Sequence, residues 1–348
     1  MTDRKIQAII FALLAAVFYA VNVPLSKILL EHVGPTTMAA LLYLGAGIGI
    51  GIISLAGGKK KSEKLTKSDL PFVIGMIVLD IAAPVFLMTG ISYGSSSDAS
   101  LLGNFEIVAT TVIALLVFRE TVSGRLWGAI ALITISSILL SFEGTESLSF
   151  SYGSLFVLLA TVCWGFENNC TRMISSKSTY EIVILKGIFS GLGSLIIAFI
   201  KAETMPGLSY VLSALLLGFV AYGLSIFLYV RSQNTLGAAK TSACYAVAPF
   251  IGAFLSFVLL KEPLSGMYLA AFIIMTAGTA LVVTDTLAHS HEHMHRHTLT
   301  HHHDGTTHTH EIEHSHEHMH YMTGSLHVHR HAKEELERSV GLMRNKNV

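Results

Sequence analysis

Phe118-Arg119-Glu120-Thr121-Val122-Ser123-Gly124 returns 142 residues later as Leu260-Lys261-Glu262-Pro263-Leu264-Ser265-Gly266, and each copy opens a span rich in Gly and Ala. A second echo sets Tyr19, Asn22 and Lys27 against Trp164, Glu167 and Arg172 at an offset of 145, within Ala-Val-Phe-Tyr-Ala-Val-Asn and Thr-Val-Cys-Trp-Gly-Phe-Glu. Two near-equal offsets read as duplication of a unit of about 140 residues.

The composition around these echoes says what kind of unit it is. The chain of 348 residues is 52% hydrophobic and only 13% charged, whereas soluble domains carry about 25% charge. It reads as an integral membrane protein. A hydrocarbon core about 30 Å thick needs roughly 20 apolar residues per helix. The stretch from Ile6 to Thr284 divides at its polar punctuation into ten such segments, 6–30, 35–56, 70–92, 98–118, 124–142, 152–175, 179–200, 208–231, 237–260 and 266–284. The first follows Arg4 and Lys5, is too long for the apolar core of a signal peptide, and reads as a retained helix.

Five helices per unit is an odd number, so the second copy enters from the opposite side and the repeats are inverted. The expected fold class is therefore all-α integral membrane, with ten transmembrane helices as two inverted five-helix repeats (1–144 and 145–284) and a disordered His-rich C-terminal tail, 285–348. Basic residues set the orientation. With a cytoplasmic N-terminus, the inside segments hold Arg4, Lys5, Lys59, Lys60, Lys61, Lys64, Lys67, Arg119, Arg125, Arg172, Lys177, Arg231 and Lys240, and the outside ones only Lys27, Lys201 and Lys261. Both termini are expected in the cytoplasm and the loop Glu143 to Ser151 outside, with the plasma (inner) membrane as the location of this multi-pass chain.

Other classes fall away. Lys plus Arg equals Asp plus Glu at 23 each, so no overall field recruits nucleic acid. Cys163, Cys170 and Cys244 lie in apolar runs without CxxC spacing, which excludes a disulfide framework or zinc ribbon. Gly45, Gly47, Gly49 and Gly51 sit in an apolar helix with no preceding strand, so they serve close helix packing, as do Gly187 and Gly191, and form no phosphate loop. No nucleophile motif or paired-carboxylate arrangement argues for an enzyme. Glu120 and Glu262 follow basic residues at helix ends, where a solvated ion pair or a cap is expected.

The duplicated unit, Glu106 fourteen residues before Glu120 in the fourth segment, and the echo from Pro249 to Lys261-Glu262-Pro263 resemble EamA-type permeases of the drug/metabolite transporter superfamily. The resemblance covers roughly residues 6–284. It implies a secondary transporter working by alternating access around a central cavity, with amino acids, nucleotide sugars, purines and other metabolites as the superfamily's substrates. Ile107 follows Glu106 where the family often has Pro, whereas the second copy carries Ala248-Pro249.

Ionisable side chains at mid-bilayer cost about 2.5–3.5 kcal/mol on insertion scales, so each needs a cavity or a partner. Asp80 sits one turn before Pro84, which frees a backbone carbonyl on the same face. Its expected role is a coupling or substrate carboxylate, against an interhelical bond to Lys186. Tyr19, Asn22 and Ser26 fall at i, i+3 and i+7, and Trp164, Glu167 and Thr171 repeat the pattern, giving one polar stripe per repeat for a pathway. Glu106, near Asn104 and Thr110, is a candidate proton acceptor. For Lys186 an internal salt bridge is favoured over binding an anionic group. The pathway set is thus Tyr19, Asn22, Asp80, Asn104, Glu106, Trp164, Glu167 and Lys186, with Asn168 and Asn169 as neighbours.

Seventeen of the 18 histidines lie between His289 and His331, among acids and few apolar residues, a composition that forms no core. Ser290-His291-Glu292-His293-Met294-His295 repeats as Ser315-His316-Glu317-His318-Met319-His320. The candidate metal ligands are His289, His291, His293, His295, His297, His301, His302, His303, His308, His310, His314, His316, His318 and His320. Imidazoles with carboxylates suit Zn²⁺, Ni²⁺, Co²⁺ or Cu²⁺. No cofactor is required by this reading, with Zn, Ni or Co on the tail as the one metal expected. The partners expected are the lipid bilayer and a small-molecule or cation substrate, with a homodimer one option for assembly. The leading function is a transporter of a small polar solute or cation. The alternatives are a transition-metal transporter using the tail as collector or sensor, and a membrane-anchored metal buffer without transport.

Overall fold

The computed structural model describes residues 3–56, 65–118, 123–143, 149–174, 177–236, 241, 244–287, 289–303 and 306–320. Residues 1–285 and 286–348 form two units. The first is a helical bundle. Its helices are α1 (Asp3–Ala20), α2 (Asn22–Leu29), α3 (Pro35–Ala56), α4 (Leu70–Tyr93), α5 (Ser96–Leu102), α6 (Phe105–Phe118), α7 (Gly124–Leu140), α8 (Tyr152–Met173), α9 (Thr179–Ile200), α10 (Leu208–Gly218), α11 (Ser225–Leu236), α12 (Ala248–Leu260) and α13 (Gly266–Leu287).

Among the described residues, seven stretches are long and apolar enough to cross a bilayer: Ile6–Leu29, Pro35–Ala56, Lys67–Tyr93, Ser96–Val117, Thr179–Ile200, Leu208–Tyr229 and Gly266–Asp285. Gly124–Leu140 and Ala248–Leu260 are apolar but shorter, and α8 has the length but carries Glu167, Asn168 and Asn169. Large apolar side chains such as Ile52, Leu116, Ile196, Leu216 and Ile273 point out of the bundle. An exposed apolar surface of that extent suits lipid, and the protein is a multi-pass membrane protein.

Helix contacts come in matched pairs. Besides α3 on α9 and α5 on α12, α4 packs on α8 as α1 packs on α11, α3 on α10 as α4 on α9, and α6 on α8 as α1 on α12. Close approach needs missing side chains: a Cβ on Gly187 would stand 2.4 Å from the backbone N of Gly47. Gly51 departs from the expected packing role, since nothing lies within 4 Å of the Cβ it lacks.

Several expected segments are discontinuous. The first breaks at Val21, ahead of Pro24, and the fourth at Gly103-Asn104 between α5 and α6. The eighth winds into a π-helix over Phe219–Leu224 between α10 and α11. The ninth turns at Ala246-Val247, where Pro249, in the first turn of α12, has no N–H with which to continue the preceding helix; of its expected start, residues 237–240, 242 and 243 lie outside the described set. A two-residue ladder, β1 (Phe142–Glu143) with β2 (Ser149–Phe150), interrupts the all-α expectation between α7 and α8.

In the second unit, β3 (His289–His303) pairs antiparallel with β4 (Thr306–His320), which replaces the disordered tail expected for these residues. The register sets His289 level with His320, His291 with His318, His293 with His316 and His295 with His314. The alternation of histidine with other residues has the period of a strand, not of a helix, and composition alone conceals that. His327, His329 and His331 lie outside the described residues.

Candidate functional site

The ionic centre of the bundle is built by α4, α8 and α9. Lys186 Nζ lies 3.1 Å from Asp80 Oδ2 and 2.9 Å from Glu167 Oε1. Asp80 and Glu167 are 0% and 2% exposed, and the lysine side chain 15%. Tyr43 OH of α3 donates to Asp80 Oδ1 at 2.9 Å, Trp164 Nε1 donates to Tyr43 OH at 3.5 Å, and Thr171 Oγ1 donates to Glu167 Oε1. One ammonium therefore faces two carboxylates in a medium where charge is costly to leave unpaired. The internal salt bridge expected of Lys186 is present, and it takes in a second acid.

Glu106 stands beside this cluster rather than in it. Asn168 Nδ2 donates to Glu106 Oε1 at 2.7 Å and approaches Thr110 Oγ1 at 3.3 Å, while Asn169 Nδ2 donates to the carbonyls of Gly165 and Thr110 at 2.8 and 3.2 Å. Asn168 thus holds an acid and Asn169 holds helices together. Asn104, buried at the α5–α6 break, has an Nδ2 without a hydrogen-bond partner among the described residues, and joins no cluster.

Asn22 Nδ2 donates to Tyr222 OH at 3.1 Å and Ser26 Oγ to Asn22 Oδ1 at 3.2 Å. Tyr222 lies in the π-helical turn, a feature common at functional sites. Tyr19 packs between Tyr222 and Tyr245 with ring centroids at 5.9 and 5.8 Å, and Tyr222 stands 5.2 Å from Tyr43. A tyrosine wall therefore joins the Asn22 stripe to the ionic cluster. Sequence reading missed Tyr43, Tyr222 and Tyr245, because single aromatics in apolar helices carry no periodic signal; the matched offset held one clue, since 222 − 80 equals the 142 of the echo. Asn22 with Tyr222 is then the counterpart of Glu167 with Asp80. Only the second pair is charged, and Lys186 bridges it.

A polytopic helical bundle with a buried ionic cluster beside a tyrosine wall defines a membrane transporter. The EamA-like transporter family matches residues 6–142 and again 151–284, and the chain belongs to that family. It is 24% identical over 299 residues to an uncharacterised transporter of Methanothermobacter thermautotrophicus, covering 80% of this chain and 87% of that protein. It is also 24% identical to a probable amino-acid metabolite efflux pump of Salmonella typhimurium (77% of this chain, 91% of that protein) and 25% identical to an uncharacterised Bacillus subtilis transporter over the same shares. A crystal structure 17% identical shares the fold with a TM-score of 0.59, covering 79% of this chain and 94% of that one.

Proposed function

We propose that the protein is a secondary transporter moving a small polar solute or cation by alternating access between two inverted repeats of five membrane crossings, with both termini in the cytoplasm. The observation that carries this reading is Lys186 held between Asp80 and Glu167 in the bundle interior. Two acids with one resident cation leave room for a second positive charge, from a proton or from the ammonium of a substrate, and the tyrosine wall offers ring faces to it. The matched helix contacts support a pseudo-twofold arrangement, and inverted repeats with discontinuous helices near the midplane are a transporter architecture. The Salmonella relative's description puts amino-acid metabolites first among the solutes to try.

The tail is a metal-binding appendage in this reading. The backbone register sets histidine positions of both strands level at every second rung from His289 to His295, so two such rungs count four histidines, the number of ligands Zn²⁺ takes. The test is uptake and efflux in proteoliposomes across amino acids, amines, nucleosides and divalent metals, with and without a pH gradient, for the full chain, Asp80→Asn and a chain ending at Thr284. Transport by the full chain that Asp80→Asn abolishes supports the reading. Metal transport lost only on truncation replaces it with the metal-transporter reading, and no transport of any solute with retained metal binding replaces it with the buffer.

A further inference from the structure

At one end of the bundle two carboxylates from loops of the second repeat seal helix ends of the first. Glu203, between α9 and α10, accepts from the backbone N–H of Thr36 (3.1 Å) and Thr37 (2.8 Å) and from Thr37 Oγ1 (2.8 Å) at the start of α3. Lys201 Nζ adds a bond to Thr36 Oγ1 at 3.2 Å. Glu262, in the echoed motif after α12, accepts from the backbone N–H of Ser96 and Ser97 at 2.7 and 2.8 Å, at the start of α5. The cap expected of Glu262 is real, but it caps a helix of the other repeat. Each clasp meets orphan N–H groups and the positive end of a helix dipole with a negative charge.

These two clasps differ from a third tie at the same end. Lys27 Nζ donates to the carbonyls of Ile91 and Gly94 at 2.6 and 2.7 Å, a bond wholly within the first repeat. The Glu203 and Glu262 clasps, the Lys201–Thr36 bond and the Ser96–Ser256 hydroxyl pair at 2.9 Å all join the two repeats and must break if the repeats part at this end. The ionic cluster lies far from it. Lys186 precedes the end of α9 by 14 residues, Asp80 that of α4 by 13, and Glu167 follows the start of α8 by 15. At 1.5 Å per residue that is about 20 Å of closed bundle.

We propose that Glu203 and Glu262 are gating residues, two carboxylate latches whose release opens the extracytoplasmic end of the pathway. The latch atoms are partly buried rather than sealed, so water replaces the carboxylate at the N–H groups as each clasp opens, which makes it reversible. The proposal rests on the alternating-access reading and on its orientation.

The test needs no known substrate. In a chain with Cys163, Cys170 and Cys244 replaced by alanine, Ser26→Cys places a thiol on α2, at a buried position of a helix packed against α4, α5, α10 and α12. Asn168→Cys, in a second chain, reports the other side. Membrane-impermeant maleimide is applied to right-side-out and inside-out vesicles. Glu203→Gln with Glu262→Gln should raise labelling of Ser26→Cys from the extracytoplasmic side about tenfold, the factor set by losing bonds to a charged group, and should lower labelling of Asn168→Cys from the cytoplasmic side. Each single variant should act with the same sign and smaller size, and replaces the double variant if that one fails to reach the membrane. Ser92→Ala, which loses only an exposed hydroxyl bond to the Thr89 carbonyl within the first repeat, should leave both rates unchanged. Labelling equal to that with intact clasps, a rise at both reporters, or an equal rise in Ser92→Ala overturns the proposal in favour of static struts. A rise at Ser26→Cys seen only in inside-out vesicles keeps the latches and overturns the orientation instead.

Discussion

Replacing Lys186 with methionine keeps the length of the side chain and removes the charge that two buried acids share. The wild-type ammonium lies 3.1 Å from Asp80 and 2.9 Å from Glu167, whose side chains are 0% and 2% exposed. Neither carboxylate has water to turn to. Breaking a buried pair by removing one partner costs about 3–5 kcal/mol, most of it the uncompensated charge left behind. Replacing all members by neutral groups of similar volume is near neutral by the same principle. Lys186→Met alone should therefore destabilise the detergent-solubilised protein by roughly 3–5 kcal/mol, and adding Asp80→Asn and Glu167→Gln should restore most of that loss. The assay is thermal unfolding of the single, double and triple variants followed by a thiol-reactive dye, for which the three half-buried cysteines are the targets. If the single and triple variants unfold at the same temperature, or the single variant matches the wild type, the cluster is not an interdependent charge network.

The Glu203 clasp carries a pH signature: partial burial pushes its carboxyl up, but the backbone and hydroxyl donors of Thr37 and Thr36 outweigh this and hold it below the usual glutamate value. The stabilisation is thus present above the unfolded pKa and lost as pH falls through the lowered folded one, so the stability gap between wild type and Glu203→Gln should close on acidification below about pH 4; a constant gap refutes it. Gly187→Val puts a branched side chain where a Cβ already stands 2.4 Å from Gly47 N, and should abolish recovery of folded protein, while Gly51→Val, in open space, should not. A peptide of residues 285–331 should bind more than one Zn²⁺ or Ni²⁺ in calorimetry and release it as pH falls through roughly 6.5; a single pH-insensitive site refutes the multi-site tail. A reporter fused after Val348 should be cytoplasmic and one inserted between Glu143 and Ser151 extracytoplasmic; the same side for both refutes five crossings in the second repeat.

Apolar segments, their polar punctuation and the duplicated echo were legible from residue order alone, because membrane insertion and chain duplication both write one-dimensional signals. The intramembrane charges were legible too, since Asp80, Glu167 and Lys186 each break an apolar run at a cost that demands a partner. Which partner was legible only in part, the Asp80–Lys186 bond standing as one alternative. Asp80 and Lys186 stand on different helices, and nothing in either run shows that Glu167 joins them while Glu106 turns to Asn168. The tyrosine wall was invisible for a related reason: Tyr43 and Tyr222 are ordinary apolar-helix residues until a π-turn and a packed pair bring them within 5.2 Å. By residue order Glu203 is only one acid in the short segment between α9 and α10. Its role as a clasp depends on where the start of α3 lies in space, a distance of 166 residues along the chain and 2.8 Å across it. Sequence fixes what each helix must bury, through local composition and period, whereas the choice among equally satisfactory partners is made by packing, and only the folded bundle makes it.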